Sequence, residues 1–340
     1  MRPALLAFAT RVALANCAMT ALFVVAVVRP VGAEEVRESH YVMGTLLEVT
    51  LDARDRTRGQ SLIREAVAIA RQLDSELSSW NANSDLWQLN LAAGRGLQTV
   101  PQGLYDVLAL SSDLASATNG AFDITVGVAM EPPVQIPGLE LPSDTEMRRD
   151  CIDHTQVHLV APDTAELARA CTVINLGGVG KGFAAARMAD QLKSANVNNA
   201  IVNFGQSSIA VVGPPIQTPT NGFALRRAGE LIGTVFLRDL ALSTSESLHG
   251  DVSNDTDAAR TPHIIDPRNA ELVRASRLAI VVADDAGVAE GWSTALVVAP
   301  DEVLALAQAS AGIEAMVFDG DRQLLTDGFE KRSGWKAAPP

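Results

Sequence analysis

Between Gln156 and Asp284 the chain runs through short apolar stretches rich in strand-forming residues: "QVHLV", "CTVINL", "NAIVNFG", "IAVVG", "FALRR", "IGTVFLRD" and "LAIVVAD". Within that span one helical pattern, Lys181–Ser194, interrupts them. A doubly wound α/β fold needs a helix after nearly every strand, whereas strands that follow one another pair as antiparallel neighbours. The succession therefore predicts an α+β fold, with mixed or antiparallel sheets and packed helices. "TLLEVTLDA" (Thr45–Ala53) alternates and adds a strand. Apolar spacing predicts helices over Arg58–Trp80, Val100–Phe122, Asp285–Val298 and from Asp301 to about Ala311. Asn83 or Ser84 caps a short one.

The first 33 residues stand apart. Arg2 and Arg11 precede and flank an apolar stretch, and "VGA" (Val31–Ala33) ends it in a small-x-small pattern, which predicts a secretory signal cut near Ala33. An uncleaved membrane anchor is the alternative, because Val12–Val28 approaches spanning length. The expected division is 1–33 signal peptide and 34–340 functional domain, in a periplasmic or other extracytoplasmic setting. Residues 1–33 hold Arg2, Arg11 and Arg29 and no acid, so the whole chain's 27 basic and 40 acidic side chains become 24 and 40. The formal charge moves from -13 to -16. That balance argues against nucleic acid or an anionic membrane face as partner. Cys151 and Cys171 remain, and their spacing leaves a disulfide and two buried thiols equally open.

The stretch "NLGGVGKGFAAARMADQL" (Asn175–Leu192) breaks an apolar run with glycines and enters a helix. It fits neither a Walker A loop nor a dinucleotide fingerprint. Free N–H groups at such a helix start suit a pyrophosphate, with Lys181 adding charge; a tight turn without ligand is the plain alternative. "AEGWSTALVV" (Ala289–Val298) puts Glu290 and Thr294 at i and i+4 beside Ser293, a hard-oxygen set suited to Mg²⁺ or simply a helix with one exposed acid. "TPHIIDPRNA" offers His263 as a base or positioning group. "GAFDITVG" offers Phe122 to stack and Asp123 to accept hydrogen bonds, and Trp80 is a further aromatic face. The acids of Asp251–Pro262 lack the glycine of a calcium loop and predict a solvated segment. The proline-rich Met130–Asp144 predicts a long surface loop.

In their order, "MGT" (Met43–Thr45), "SELSSWNANSDLWQLN", "GAFDITVG", "NLGGVGKGFAAARMAD", "AIVNFG", "ALSTS", "HIIDPRNA" and "AEGWSTAL" resemble the FAD:protein FMN transferase family, also called ApbE. The resemblance spans about residues 40 to 300 and implies an ApbE-like fold. It implies Mg²⁺-dependent transfer of FMN from FAD to a threonine or serine hydroxyl of an acceptor protein, with release of AMP. The acceptor it implies is a flavoprotein subunit of a membrane respiratory complex exposed outside the cytoplasm. Met43, Trp80, Ala121, Phe122, Asp123, Gly177, Phe183 and Ile265 would then contact FAD. The Gly180 carbonyl, Glu290, Ser293 and Thr294 would surround the metal, and His263 would activate the acceptor hydroxyl. Asn175, Ala186, Gln206-Ser207 and Glu290 depart from the family pattern, which usually has Asp for the first and the last. An FAD hydrolase giving FMN and AMP, or a silent FAD-binding assembly protein, would use the same pocket.

Overall fold

Eight strands build the main sheet, and each pairs antiparallel with its neighbour. In spatial order they are Glu34–Val42, Thr45–Ala53, Ala200–Phe204, Ser208–Val212, Ala241–Glu246, Arg277–Ala283, Glu314–Asp319 and Arg322–Leu325. The structure, a computed structural model, describes residues 34–130, 142, 144–214, 222–249 and 261–339. The predicted leader, most of the proline-rich segment and most of the acidic stretch from Asp251 lie outside the described residues. The predicted α+β class holds, and the named ladders are antiparallel throughout.

Alternation along the strands sends two sets of side chains to two different partners. On one face Leu47, Val49, Leu51, Val202, Ala279 and Val281 pack under helices α1 (Arg56–Leu77), α3 (Gln102–Ala117), α5 (Gly180–Ser194), α6 (Ala286–Val298) and α7 (Pro300–Ala309). Here α2 (Asp85–Leu91) and α4 (Thr145–Asp150) are the two short helices between those. On the other face Ile209, Val211, Leu278, Ile280 and Val282 meet a small sheet, Phe223–Arg227 with Glu230–Val235 and Lys336–Ala337, and the short helix α8 (Phe329–Ser333). Ser208–Val212 is buried at every position because it is covered on both sides. Among the described residues no helix is long and apolar enough to cross a membrane.

Helix α6 is buried almost all round, as a helix caught between a sheet and other helices must be. Its Glu290, Ser293 and Thr294 are therefore polar groups inside an apolar element. Asp285 caps it by accepting the Val288 N–H, as Ser84 caps α2 through the Trp87 N–H.

One expectation needs correction, one strand went unread, and one open alternative is decided. "CTVINL" is not a strand. Val173 makes an isolated bridge with Val126, and the backbone of Ile174 bonds instead to the Asn90 side chain, N–H to Oδ1 at 2.7 Å and O to Nδ2 at 3.0 Å. The run is apolar because it is buried, and a side chain stands in for the neighbouring strand. Glu34–Val42 is a strand that sequence patterning did not single out. Cys151 and Cys171, whose pairing the sequence left open, form a disulfide with S–S 2.07 Å.

Candidate active site

Two hairpin turns meet at one end of the sheet. Met43 and Gly44 both have positive φ, 52° and 71°, and close a two-residue turn of the primed kind that suits the twist of paired strands. Gly205 (φ 57°) and Gln206 (φ 62°) turn the next hairpin. The Gly205 N–H donates to the Leu46 carbonyl at 2.8 Å, and a Cβ there would sit 2.5 Å from Thr45 Oγ1. Glycine suits this position, because its φ lies in the left-handed region and a Cβ would have to push the Thr45 hydroxyl aside.

These turns line a cavity of about 770 Å³, within the roughly 300–1,000 Å³ usual for small-molecule sites. Of the predicted flavin contacts it brings together Met43, Ala121, Phe122, Asp123, Gly177 and Ile265. His263, Glu290 and Thr294 join them, with Asn175, Gly178, Lys181 and Gln206. Four predicted site residues are not among its lining. Trp80 is 68 % exposed on the surface after α1, and Phe183 is a core residue under the Arg187 guanidinium, 4.7 Å from the ring centre. Gly180 is the first, buried residue of α5. Ser293 turns into the sheet, where its hydroxyl meets Ser243 at 3.0 Å and Ser245 at 2.8 Å. The lining also includes Thr244 and Ser245, which the sequence placed only within a family motif, and Glu246, which it did not single out.

Asn175 keeps the geometry of its turn despite departing from the family's usual Asp. Its Oδ1 accepts the Gly177 N–H at 2.8 Å, a bond that either side chain can accept. Thr294 Oγ1 donates to the Glu290 carbonyl at 3.0 Å and lies 3.4 Å from the Gly178 carbonyl. Glu290, 4 % exposed, points its side chain at the start of α5: Oε2 accepts the Gly182 N–H at 2.6 Å, and Oε1 meets Lys181 Nζ at 2.6 Å. So the α5 N-terminus, read from sequence as open to a phosphate, has one of its free N–H groups taken by a carboxylate of α6.

Mg²⁺ takes hard oxygen donors in near-octahedral geometry and keeps waters. The Glu290 carboxylate, the Thr294 hydroxyl and the Gly178 carbonyl are donors of that kind, clustered at the cavity wall, and in chemistry they fit such an ion. Among the described residues no group of three or more His, Cys, Asp and Glu converges as a metal centre. A site here would rest on one carboxylate, whose charge Lys181 already balances.

Fold and cleft together define an α+β protein with a glycine-lined polar cavity between hairpin turns and a buried helix pair. The chain belongs to the ApbE family, whose family model matches residues 43–317. Proteins called FAD:protein FMN transferase are similar to it. That of Rhodobacter capsulatus is 29 % identical over 302 residues, covering 84 % of this chain and 55 % of that protein. The chain thus spans little more than half the length of that relative. Those of Klebsiella pneumoniae (strain 342) and Escherichia coli (strain K12) are 26 % and 25 % identical, each covering 75 % of this chain and 76 % of the relative. Among solved structures, the apo flavinyl transferase ApbE of Pseudomonas stutzeri matches with TM-score 0.74 at 23 % identity, over 89 % of this chain and 97 % of that one. The ApbE protein of Thermotoga maritima matches with TM-score 0.75 at 19 % identity, over 88 % and 99 %. At these identities the structures speak for the fold.

Proposed function

We propose that this chain is an FAD:protein FMN transferase, moving FMN from FAD to a threonine or serine hydroxyl of an acceptor protein. The observation that carries it is the convergence, in one cavity of an ApbE-family chain, of His263, Lys181, Glu290, Thr294 and the Gly177-Gly178 turn. The acceptor Oγ forms a bond to the FMN-side phosphorus while the bond from that phosphorus to the bridging oxygen breaks, and AMP carries the bridging oxygen away. His263 takes the hydroxyl proton. Phe122 and Ile265 offer apolar surface to the flavin, and Asp123 offers a fixed acceptor. The Gly177-Gly178 turn leaves backbone room for the pyrophosphate. Glu290, Thr294 and the Gly178 carbonyl would hold Mg²⁺, which when bound neutralises charge on the phosphate oxygens. Such transfer depends mainly on positioning and charge stabilisation.

The apolar leader and the acidic remainder favour an extracytoplasmic protein whose acceptor is an electron-transfer protein, a membrane respiratory subunit being the class that fits. The test is incubation with FAD, Mg²⁺ and an acceptor-domain protein, read by intact mass. The expected result is an acceptor gaining one FMN residue with one AMP released per transfer. AMP appearing at full rate without an acceptor would favour an FAD hydrolase. Bound FAD with neither product would favour a silent binder.

A further inference from the structure

The Glu290 carboxylate already holds a cation of the chain's own. Oε1 meets Lys181 Nζ at 2.6 Å and accepts from Ser208 Oγ at 3.1 Å, and Oε2 accepts the Gly182 N–H at 2.6 Å. A carboxylate offers about four acceptor positions, so three donors leave little room for another ligand. The Lys181 ammonium has a second contact, to the Gly177 carbonyl at 3.4 Å. Its side chain is 27 % exposed and lines the cavity, on a flexible four-carbon stem. Glu290, by contrast, is buried and pinned by a backbone amide and a buried serine. Of the two partners, the lysine is free to leave.

We infer that Lys181 is the resident counter-cation of the metal site, so that Mg²⁺ and the ammonium compete for the Glu290 carboxylate. Two cations on one carboxylate oxygen, shielded from water, repel each other strongly. Entry of the ion therefore expels Lys181 from Oε1 into the cavity, where its charge meets the anionic part of the ligand. Gly182 N–H and Ser208 stay on the carboxylate and keep it aimed. Lys181 thereby holds the site together while empty and becomes a ligand contact when the site fills. The identity of the ion rests on the transferase reading; the competition at Glu290 rests on the geometry alone.

The test uses Mg²⁺ without FAD, titrated by calorimetry into the whole protein and into its Lys181→Met form. Removal of the competitor should tighten Mg²⁺ binding by about tenfold or more. In the native protein, acetylation of Lys181 by an amine-reactive ester, mapped by mass spectrometry, should rise at least about threefold with Mg²⁺, because an amine released from Glu290 into the open cavity is within reach of the ester. Lys193, Lys331 and Lys336 serve as internal references. Equal or weaker Mg²⁺ binding in Lys181→Met, no Mg²⁺ binding by either form, or Lys181 labelling indifferent to Mg²⁺ overturns the inference. If the variant fails to fold, the labelling in the native protein decides. Flavin transfer by a protein whose Lys181 ignores Mg²⁺ would remove the exchange and leave the transferase standing; exchange without transfer would do the reverse.

Discussion

Asp123 and His154, 31 residues apart, are joined twice: the His154 backbone N–H donates to Asp123 Oδ2 at 2.9 Å, and the imidazole Nδ1 lies 3.5 Å from that same oxygen. The other carboxylate oxygen accepts the Thr125 N–H at 2.8 Å and its hydroxyl at 2.6 Å. Asp123 reaches the cavity with its direction set by these neighbours. The bond to Asp123 raises the His154 pKa above its ordinary 6.5, with the charges of Asp123 and Asp153 adding to it and burial opposing.

A folded-state pKa raised above the unfolded one gives stability that is full below about 6.5 and is lost as pH rises through the folded value. The protein should therefore lose part of its thermal stability between pH 6 and pH 8 through this one group. His154→Asn should flatten that part of the profile. FAD affinity should fall over the same range, because Asp123 loses one of its anchors. Scanning calorimetry of both forms at the two pH values checks the first, and flavin fluorescence the second. Identical pH responses would sink the assignment.

Cys151 and Cys171 close a loop of 20 residues between α4 and the segment that leads into the glycine turn. In the chain-entropy account such a loop contributes about 3 kcal/mol by restricting the unfolded chain. The double Cys→Ser form should be less stable by that amount in urea unfolding. Its cavity should also loosen, because Cys151 packs in the same cluster as Val173 and Ile265.

Legibility in the sequence followed the range of the interactions. Alternation in "TLLEVTLDA" and the cap at Ser84 are local, and both were readable. The strand Glu34–Val42 was not, because Glu34, Glu35, Arg37, Glu38, Ser39 and His40 put charged and polar side chains on both of its faces and leave few apolar ones to count. "CTVINL" misled for the opposite reason: burial made it apolar, but its backbone pairs with Asn90 from 84 residues away. At the site, helical spacing placed Glu290 and Thr294 together on α6, since i and i+4 share a face. Spacing could not say that Ser293 would be drawn off by Ser243 and Ser245. Nor could it join Lys181 to Glu290, which depends on how α5 packs on α6.

His263 is the residue whose loss should separate binding from chemistry. If it takes the acceptor proton, His263→Ala should lower transfer by roughly 100- to 10,000-fold, the usual span for general base catalysis. FAD binding should change little. Comparable losses in both would recast His263 as a binding residue.

Ser293 offers a sharper check on the metal ligands. Its hydroxyl is fully buried, bonded to Ser243 and Ser245, and Ser293 is not itself part of the cavity lining. Ser293→Ala should cost about 1 kcal/mol of stability, the worth of a buried hydrogen bond, and leave Mg²⁺ affinity unchanged. Thr294→Val, which keeps the shape and removes the oxygen beside Gly178, should weaken Mg²⁺ binding. Calorimetric titration of the two variants against Mg²⁺ tells them apart.

The two glycines at the start of α5 should respond in opposite ways to the same substitution. At Gly182 a Cβ would lie 2.2 Å from the Ala286 carbonyl oxygen, 2.7 Å from its carbon and 2.9 Å from Glu290 Cβ. Two of these are backbone atoms of α6, so only a shift of one helix against the other can make room. At Gly180 the nearest atoms would be Met43 Cε at 3.6 Å and Leu176 Cβ at 3.9 Å, ordinary contact distances. Gly182→Ala should therefore cost about 3 kcal/mol through overpacking. Gly180→Ala should be neutral or gain up to about 1 kcal/mol in helix propensity. Gly182→Ala should also weaken the Gly182 N–H bond that aims Glu290, so its Mg²⁺ affinity should fall with its melting temperature. Thermal melts of both variants decide the matter: equal shifts would mean that α5 and α6 do not approach at Gly182 as closely as described.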